Sequence, residues 1–279
     1  MSEPTRVLYV SSEIFPYMPE SGISSIGRFL PQGVQERGCE IRSFMPKYGC
    51  INERRNQLHE VIRLSGMNII INDIDRPLII KVSSIPAARM QVYFIDNEDY
   101  FFRKQIYKDD NEEYFADNDE RAIFFARGVL ETVKKLRWKP DIIHCQGWVS
   151  HLLPIYLKKV YHDDPIFTES KVVISLYDDA SDQVFNDSTR SKIIVPGIKN
   201  KDLELLTPAN GINLAKLAIQ YANGIIMGSE SISSELVDMA LKNSVPTLPY
   251  KDISQPESTY IQDYIQFYDQ ILGKNDKKD

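Results

Sequence analysis

The chain has little of what marks a secreted, membrane-spanning or nucleic-acid-binding protein. Its 279 residues include three cysteines, Cys39, Cys50 and Cys145, an odd number without a C-x-x-C pair. Neither a disulfide framework nor a zinc site is expected, and reduced thiols point to the cytoplasm. The longest apolar runs, such as residues 77–82, fall far below the roughly 20 residues of a membrane span. The opening MSEPTRVLYVSSE lacks the apolar stretch of a secretory leader. Lys and Arg number 33 against 39 Asp and Glu, a net charge of −6, and they form no basic run. The counterion-release term behind non-specific nucleic-acid binding is then missing, so neither nucleic acid nor membrane is expected as a partner. No internal repeat, heptad array or low-complexity segment is present. With 43% hydrophobic residues, the length suits one large α/β domain or two small ones, either with a sizeable core.

Residues 6–11 (RVLYVS) form a short β-branched run of the kind buried on both faces of a parallel sheet. After a Gly/Ser/Pro loop, Ile23, Ile26, Leu30 and Val34 recur at helical spacing, with Ser21 as the cap and Gly38 just past the end. A strand at 40–45 completes a βαβ unit. Residues 58–95 read as short strands (58–64, 67–71, 78–83, 91–95) separated by turn residues, a β excursion from the main sheet. Then come a long amphipathic helix at 118–136, a strand at 141–145, a helix at 148–160 and a strand at 171–176. A helix at 212–222, a strand at 224–227 and a helix at 231–241 follow. Asp117 or Asn118 caps the 118–136 helix, and Arg121 ties down the loop before it.

Strands alternating with helices predict a doubly wound parallel α/β sheet, whose ligand crevice lies at the carboxyl ends of the strands. The residues after Val10, Ile143, Ile174 and Ile226 are therefore the place to look. The expected organisation is a domain over residues 1–250, then a C-terminal helix and charged tail over 251–279. In that tail Ile261, Tyr264, Ile265, Tyr268 and Leu272 form one apolar stripe after Pro256. It either seals a surface of the domain, completes its core or forms a dimer seam.

Several stretches resemble the N-terminal domain of bacterial glycogen synthases and plant starch synthases, two-domain glycosyltransferases of the GT-B fold. RVLYVSSEIFPYMPESGISSIGRFLPQGVQERGCEIRSFMPKYG is similar to the family's opening strand, its S-E-x-x-P, its K-x-G-G-L-A-D loop and its M/L-P-K-Y. FIDNEDYFFRKQIYKDDNEEYFADNDERAIFFARGVLE resembles I-D-x-x-x-Y-F-x-R followed by Y-x-D-N-x-x-R-x-x-F-F. PDIIHCQGWVSHLLPIYLK resembles P-D-[IV]-[IV]-H-x-H-D-W-H-x-x-L-x-P-x-Y-L-K. Weaker echoes are KVVISLYDD, INLAKLAI and ANGIIMGSESIS. They run in the family's order over about residues 6–240. The resemblance implies transfer of glucose from ADP-glucose to an α-1,4-glucan. It marks Gly22, Asn118, Arg121, His144, Trp148, Asn213 and Lys216 as positions near substrate, with no resident cofactor or metal.

The departures from the family pattern bear on function. Pro19 stands where the family's Lys reaches the donor phosphates, Ser21 and Gly22 where it has a Gly pair, and Ser25 where it has Asp. Gln146, Gly147 and Val149 replace its second His, its Asp and its last His, which touches the transferred sugar. Tyr177 and Asp178 align with a strand-end His-Asn pair. The family also continues for roughly another domain, whose cations stabilise the departing diphosphate. A chain ending at Asp279 is therefore expected to have little transferase activity alone. Three functions follow: an α-glucan-binding member without autonomous catalysis, a glucosyltransferase subunit needing a separate donor-binding chain, or a regulatory module for a non-sugar ligand. A protein partner or a homodimer stays open under each.

Every marked residue has a plainer role. His144 binds sugar or is a packed core histidine. Trp148 stacks on a pyranose or fills the core. Asn213 and Lys216 face the cleft or a solvated helix side. The acidic run from Asp109 to Glu120 lacks the ligand spacing of a calcium loop and reads as a solvated loop. Glu13 and Glu20 as a glycosidase pair require a separation that spacing cannot supply.

Overall fold

A computed structural model describes residues 3–179, 182–254 and 257–274. At its centre β1 (Arg6–Ser11) pairs in parallel with β2 (Glu40–Pro46) on one side and β7 (Ile142–Gln146) on the other. Beyond β2 lie β6 (Met90–Asp96), parallel to it, and β5 (Ile74–Ile85), antiparallel to β6. The long β5 also carries β3 (His59–Glu60) and β4 (Met67–Ile71), both antiparallel. Beyond β7 the parallel run continues through β8 (Lys171–Leu176), β9 (Gly224–Met227) and β10 (Thr247–Leu248). Chain order reverses between β1 and β7, which makes that junction the topological switch point. The fold is the expected doubly wound α/β sheet with a β excursion.

Both faces of the sheet are covered, which is why β1 is apolar from Val7 to Val10. Leu8 and Val10 enter a large core with α2 (Glu98–Phe101), α3 (Asn118–Leu136), α4 (Leu153–Lys159), α5 (Thr189–Ile193), α6 (Gly211–Tyr221) and α7 (Ser234–Lys242). Val7 and Tyr9 enter a second core with α1 (Gly22–Glu36) and α8 (Glu257–Ile271). Period-2 alternation thus feeds two apolar layers from one strand.

Helix α1 begins as its sequence predicts. Ser21 Oγ accepts the Ser24 N–H at 3.0 Å, and Ser24 Oγ accepts the Ser21 N–H at 2.8 Å, a reciprocal cap. Gly38, just past the end, has φ +93°. The start of α3 differs from expectation, since the Asp117 side chain caps nothing. Its two carboxylate oxygens instead accept from the Arg103 guanidinium, both at 2.6 Å. The predicted 148–160 helix is also divided, into a 3-10 turn at Trp148–Ser150 and then α4. Pro154 lacks an N–H and so fits the first turn of a helix rather than its interior.

Of the predicted stripe, Ile261, Tyr264 and Tyr268 are buried in the second core together with Tyr260 and Phe267, while Ile265 and Leu272 pack against it half-buried. Its close approach depends on two glycines. A Cβ on Gly33 of α1 would run into Ile261, and one on Gly224 would lie 2.6 Å from Ile271 Cδ1. The expected onset at Pro256 and the charged end at 275–279 lie outside the described residues.

Candidate functional site

At the carboxyl edge of the sheet, beside the switch point, lies a cavity of about 390 Å³. The chain after β1 contributes Glu13, and the start of α1 contributes Ser21 and Gly22. The end of β8 contributes Tyr177, Asp178 and Asp179, while Gly228 and Ser229 follow β9. Tyr250 and Ile253, beyond β10, close the far wall. This is where the alternation of strands and helices places a ligand crevice.

Its electrostatics are one-sided. Among the described residues, three carboxylates and no Lys or Arg line the cavity. Burial raises the Glu13 carboxyl above its ordinary pKa, opposed by the hydrogen bond that Ser21 Oγ donates to it at 3.1 Å. Asp179 accepts the Trp148 N–H at 2.7 Å, yet burial, aided by the charges of Glu13 and Asp178, pushes it up to about 6. Both groups are thus carboxylates short of solvent, and Asp179 also faces like charge. Hydroxyl donors would satisfy them, whereas a phosphate would add to the repulsion.

Gly147 shapes the turn between β7 and Trp148. Its φ is +85°, and a Cβ there would run into the Ser12 hydroxyl and lie 3.3 Å from Asp179 Oδ2. A side chain such as the Asp of the resembling sequences does not fit this backbone.

Of the seven residues marked in the sequence, Gly22 alone lines the crevice. A Cβ on it would meet nothing within 4 Å, so space does not require the glycine. His144 is 0% exposed, with Nδ1 hydrogen-bonded to the Tyr268 hydroxyl at 2.8 Å and Nε2 to Ser175 Oγ at 2.7 Å. Tyr9 and Tyr264 pack against its ring, and burial pushes its pKa down to about 3. It is a neutral core imidazole with both nitrogens engaged. Trp148 reaches the crevice through its backbone N–H, while its indole packs against Tyr107 and Phe185.

Asn118 and Arg121 anchor the preceding loop, as expected. Arg121 Nε donates to the Tyr100 carbonyl and Nη1 to Asn118 Oδ1, and Asn118 Nδ2 donates to the Tyr107 carbonyl. Asn213 Nδ2 donates to the Pro208 carbonyl, and Lys216 pairs with Glu235 of α7. Neither of these two lines the crevice.

Sequence reasoning did not single out Asp179, and it weighed Glu13 only beside Glu20, which does not line the cavity. The signal that finds both is position, since each follows a strand that borders the crevice. A larger cavity of about 740 Å³ lies by α3, away from the strand ends. Most of its charged groups already have partners: Lys192 pairs with Asp119 and Glu120 beside it, Lys134 with Asp164, Arg127 donates to the Ile70 carbonyl, and Glu131 accepts from Tyr161. Among the described residues no cluster of His, Cys, Asp and Glu is placed to hold a metal, and no helix is long and apolar enough to cross a membrane.

Residues 6–245 match the family model of the starch synthase catalytic domain. The glycogen synthase of Chlorobium limicola is 34% identical over 233 residues, which cover 83% of this chain and 47% of that protein. The glycogen synthase of Chlorobium phaeobacteroides is 40% identical over 173 residues, 62% of this chain and 35% of that one. The chain spans about half the length of the curated relatives it matches. The catalytic domain of starch synthase IV from Arabidopsis thaliana, solved bound to ADP and acarbose, shares the fold. Its TM-score is 0.67 at 18% identity, covering 89% of this chain and 52% of that one. With most of its length matched, and with the doubly wound sheet in place, the chain belongs to the glycogen and starch synthase family.

Proposed function

We propose that this chain is a glucan-binding member of the family that does not transfer glucose by itself, and that its crevice receives the hydroxyls of an α-1,4-glucan. The observation that carries the reading is the lining: Glu13, Asp178 and Asp179 without a single Lys or Arg. A neutral polyol supplies O–H donors to such groups. Stabilising a departing nucleoside diphosphate takes prepositioned cations, and this surface has none. Two further features support the reading. Pro19 stands where the family's Lys would meet the donor phosphates, and His144 is held in the core by Tyr268 and Ser175.

Calorimetric titration of the chain with maltoheptaose and, in parallel, with ADP-glucose tests this. Saturable heat is expected with the glucan and none with ADP-glucose. Asp179→Asn removes one charged acceptor, and hydrogen bonds to charged groups are worth roughly 1.5–3 kcal/mol. Glucan affinity should then fall about tenfold or more. Heat from ADP-glucose, glucose transfer by the chain alone, or silence toward maltoheptaose would each overturn the reading.

A further inference from the structure

The crevice does not end at its acidic wall. Ser229 and Tyr250 line it on one side and on the other line a second cavity of about 380 Å³. The character of the surface reverses across these two residues. Beyond them the walls are Met227, Ile232, Val237, Leu241 and Pro249, with Glu230 the one charged residue. Leu241, on α7, is 67% exposed and forms part of this apolar wall. Pro249 and Tyr250 follow residue 245, where the family match stops, so this compartment includes residues outside the shared domain.

We infer that the two cavities form one amphiphilic site, in which a glycoside places its sugar among the carboxylates and an aryl or alkyl aglycone against Leu241 and Val237. The inference rests on the glucan-binding reading and specifies its ligand. Two observations select a small aglycone as the occupant. The apolar cavity borders the sugar crevice, the two sharing Ser229 and Tyr250 in their linings. Its volume of about 380 Å³ also lies in the range of small-molecule pockets. Water displaced from an apolar wall supplies the gain in affinity, and the sugar fixes the orientation.

The test compares methyl α-maltoside with 4-nitrophenyl α-maltoside by calorimetry on the full chain and on Leu241→Asp. The exposure of Leu241 lets that substitution keep the fold. The aryl glycoside should bind the native chain about tenfold tighter or more. In Leu241→Asp the two glycosides should bind alike, with the methyl glycoside unchanged. Equal affinities in the native chain, or an aryl preference that survives Leu241→Asp, overturns the inference while the glucan-binding reading stands. If neither glycoside binds, both fall together. A dimer that Leu241→Asp dissociates, without any aryl preference, assigns the groove to a second copy and also overturns the inference.

Discussion

Acidification from pH 7 to pH 5 should destabilise this fold, through its two buried histidines. Burial holds His144 at about 3 and His151 at about 4, both below their ordinary value. In the unfolded chain each titrates near 6.5, so between that value and the folded one the unfolded state binds more protons. Stability from a depressed histidine is fully present above pH 6.5 and is lost as pH falls toward the folded pKa. One proton of difference corresponds to about 1.4 kcal/mol per pH unit. Each histidine therefore costs about 2 kcal/mol over this interval. Asp179 acts in the opposite direction. Its folded pKa of about 6 exceeds the unfolded value near 3.9, so protonation favours the folded form and offsets about 1 kcal/mol. Glu13, also raised, acts with Asp179. The net expectation is a loss of about 3 kcal/mol, a large share of ordinary domain stability. Urea unfolding followed by circular dichroism at both pH values measures it by linear extrapolation. In His144→Gln the loss should shrink by about 2 kcal/mol. Equal stability at the two pH values, or an unchanged loss in the variant, would refute the assignment of His144 as a neutral core group.

Two further outcomes concern the C-terminal helix. Gly33→Ala, which inside an exposed helix would stabilise by about 1 kcal/mol, should here destabilise by about 1–3 kcal/mol because the new methyl group meets Ile261. Ile261→Val in the same chain should recover part of that loss in thermal melting, and strict additivity would count against the contact. Removing residues 256–279 strips the cover from Tyr9, His144 and Tyr177. The melting temperature and solubility should both drop, and a truncated chain as stable as the full one would show that α8 seals nothing.

The parts of the fold most legible in the sequence are those whose burial is symmetric or strongly periodic. β1, β8 and β9 are built on apolar runs (residues 7–10, 172–174 and 225–227) because two cores claim them, and α3 declares itself by helical spacing over its whole length. The excursion was harder to place in detail. Pro77 reads as a boundary, yet β5 runs through it from Ile74 to Ile85, with Pro77 opposite Asn68 of β4 and its carbonyl accepting from Asn97. The expected strand at 58–64 shrinks to His59–Glu60, since Val61 to Gly66 turn back on themselves through hydrogen bonds to Val61 and to β5.

For the site, local pattern located the loops but not the direction of the side chains. Strand alternation sends Ile143 and Cys145 of β7 into one core and Ile142 and His144 into the other. Whether His144 meets a ligand or a helix then depends on what covers that second face. The answer is Tyr268, which is 124 residues away. No spacing around PDIIHCQGW encodes a partner that distant. The carboxylates pose the converse problem: Glu13 and Asp179 look unrelated in the chain, and only the order of strands brings their loops to one cavity. Once they are gathered there, burial raises both carboxyls and the charge of Glu13 raises Asp179 further, an effect that spacing along the chain does not encode.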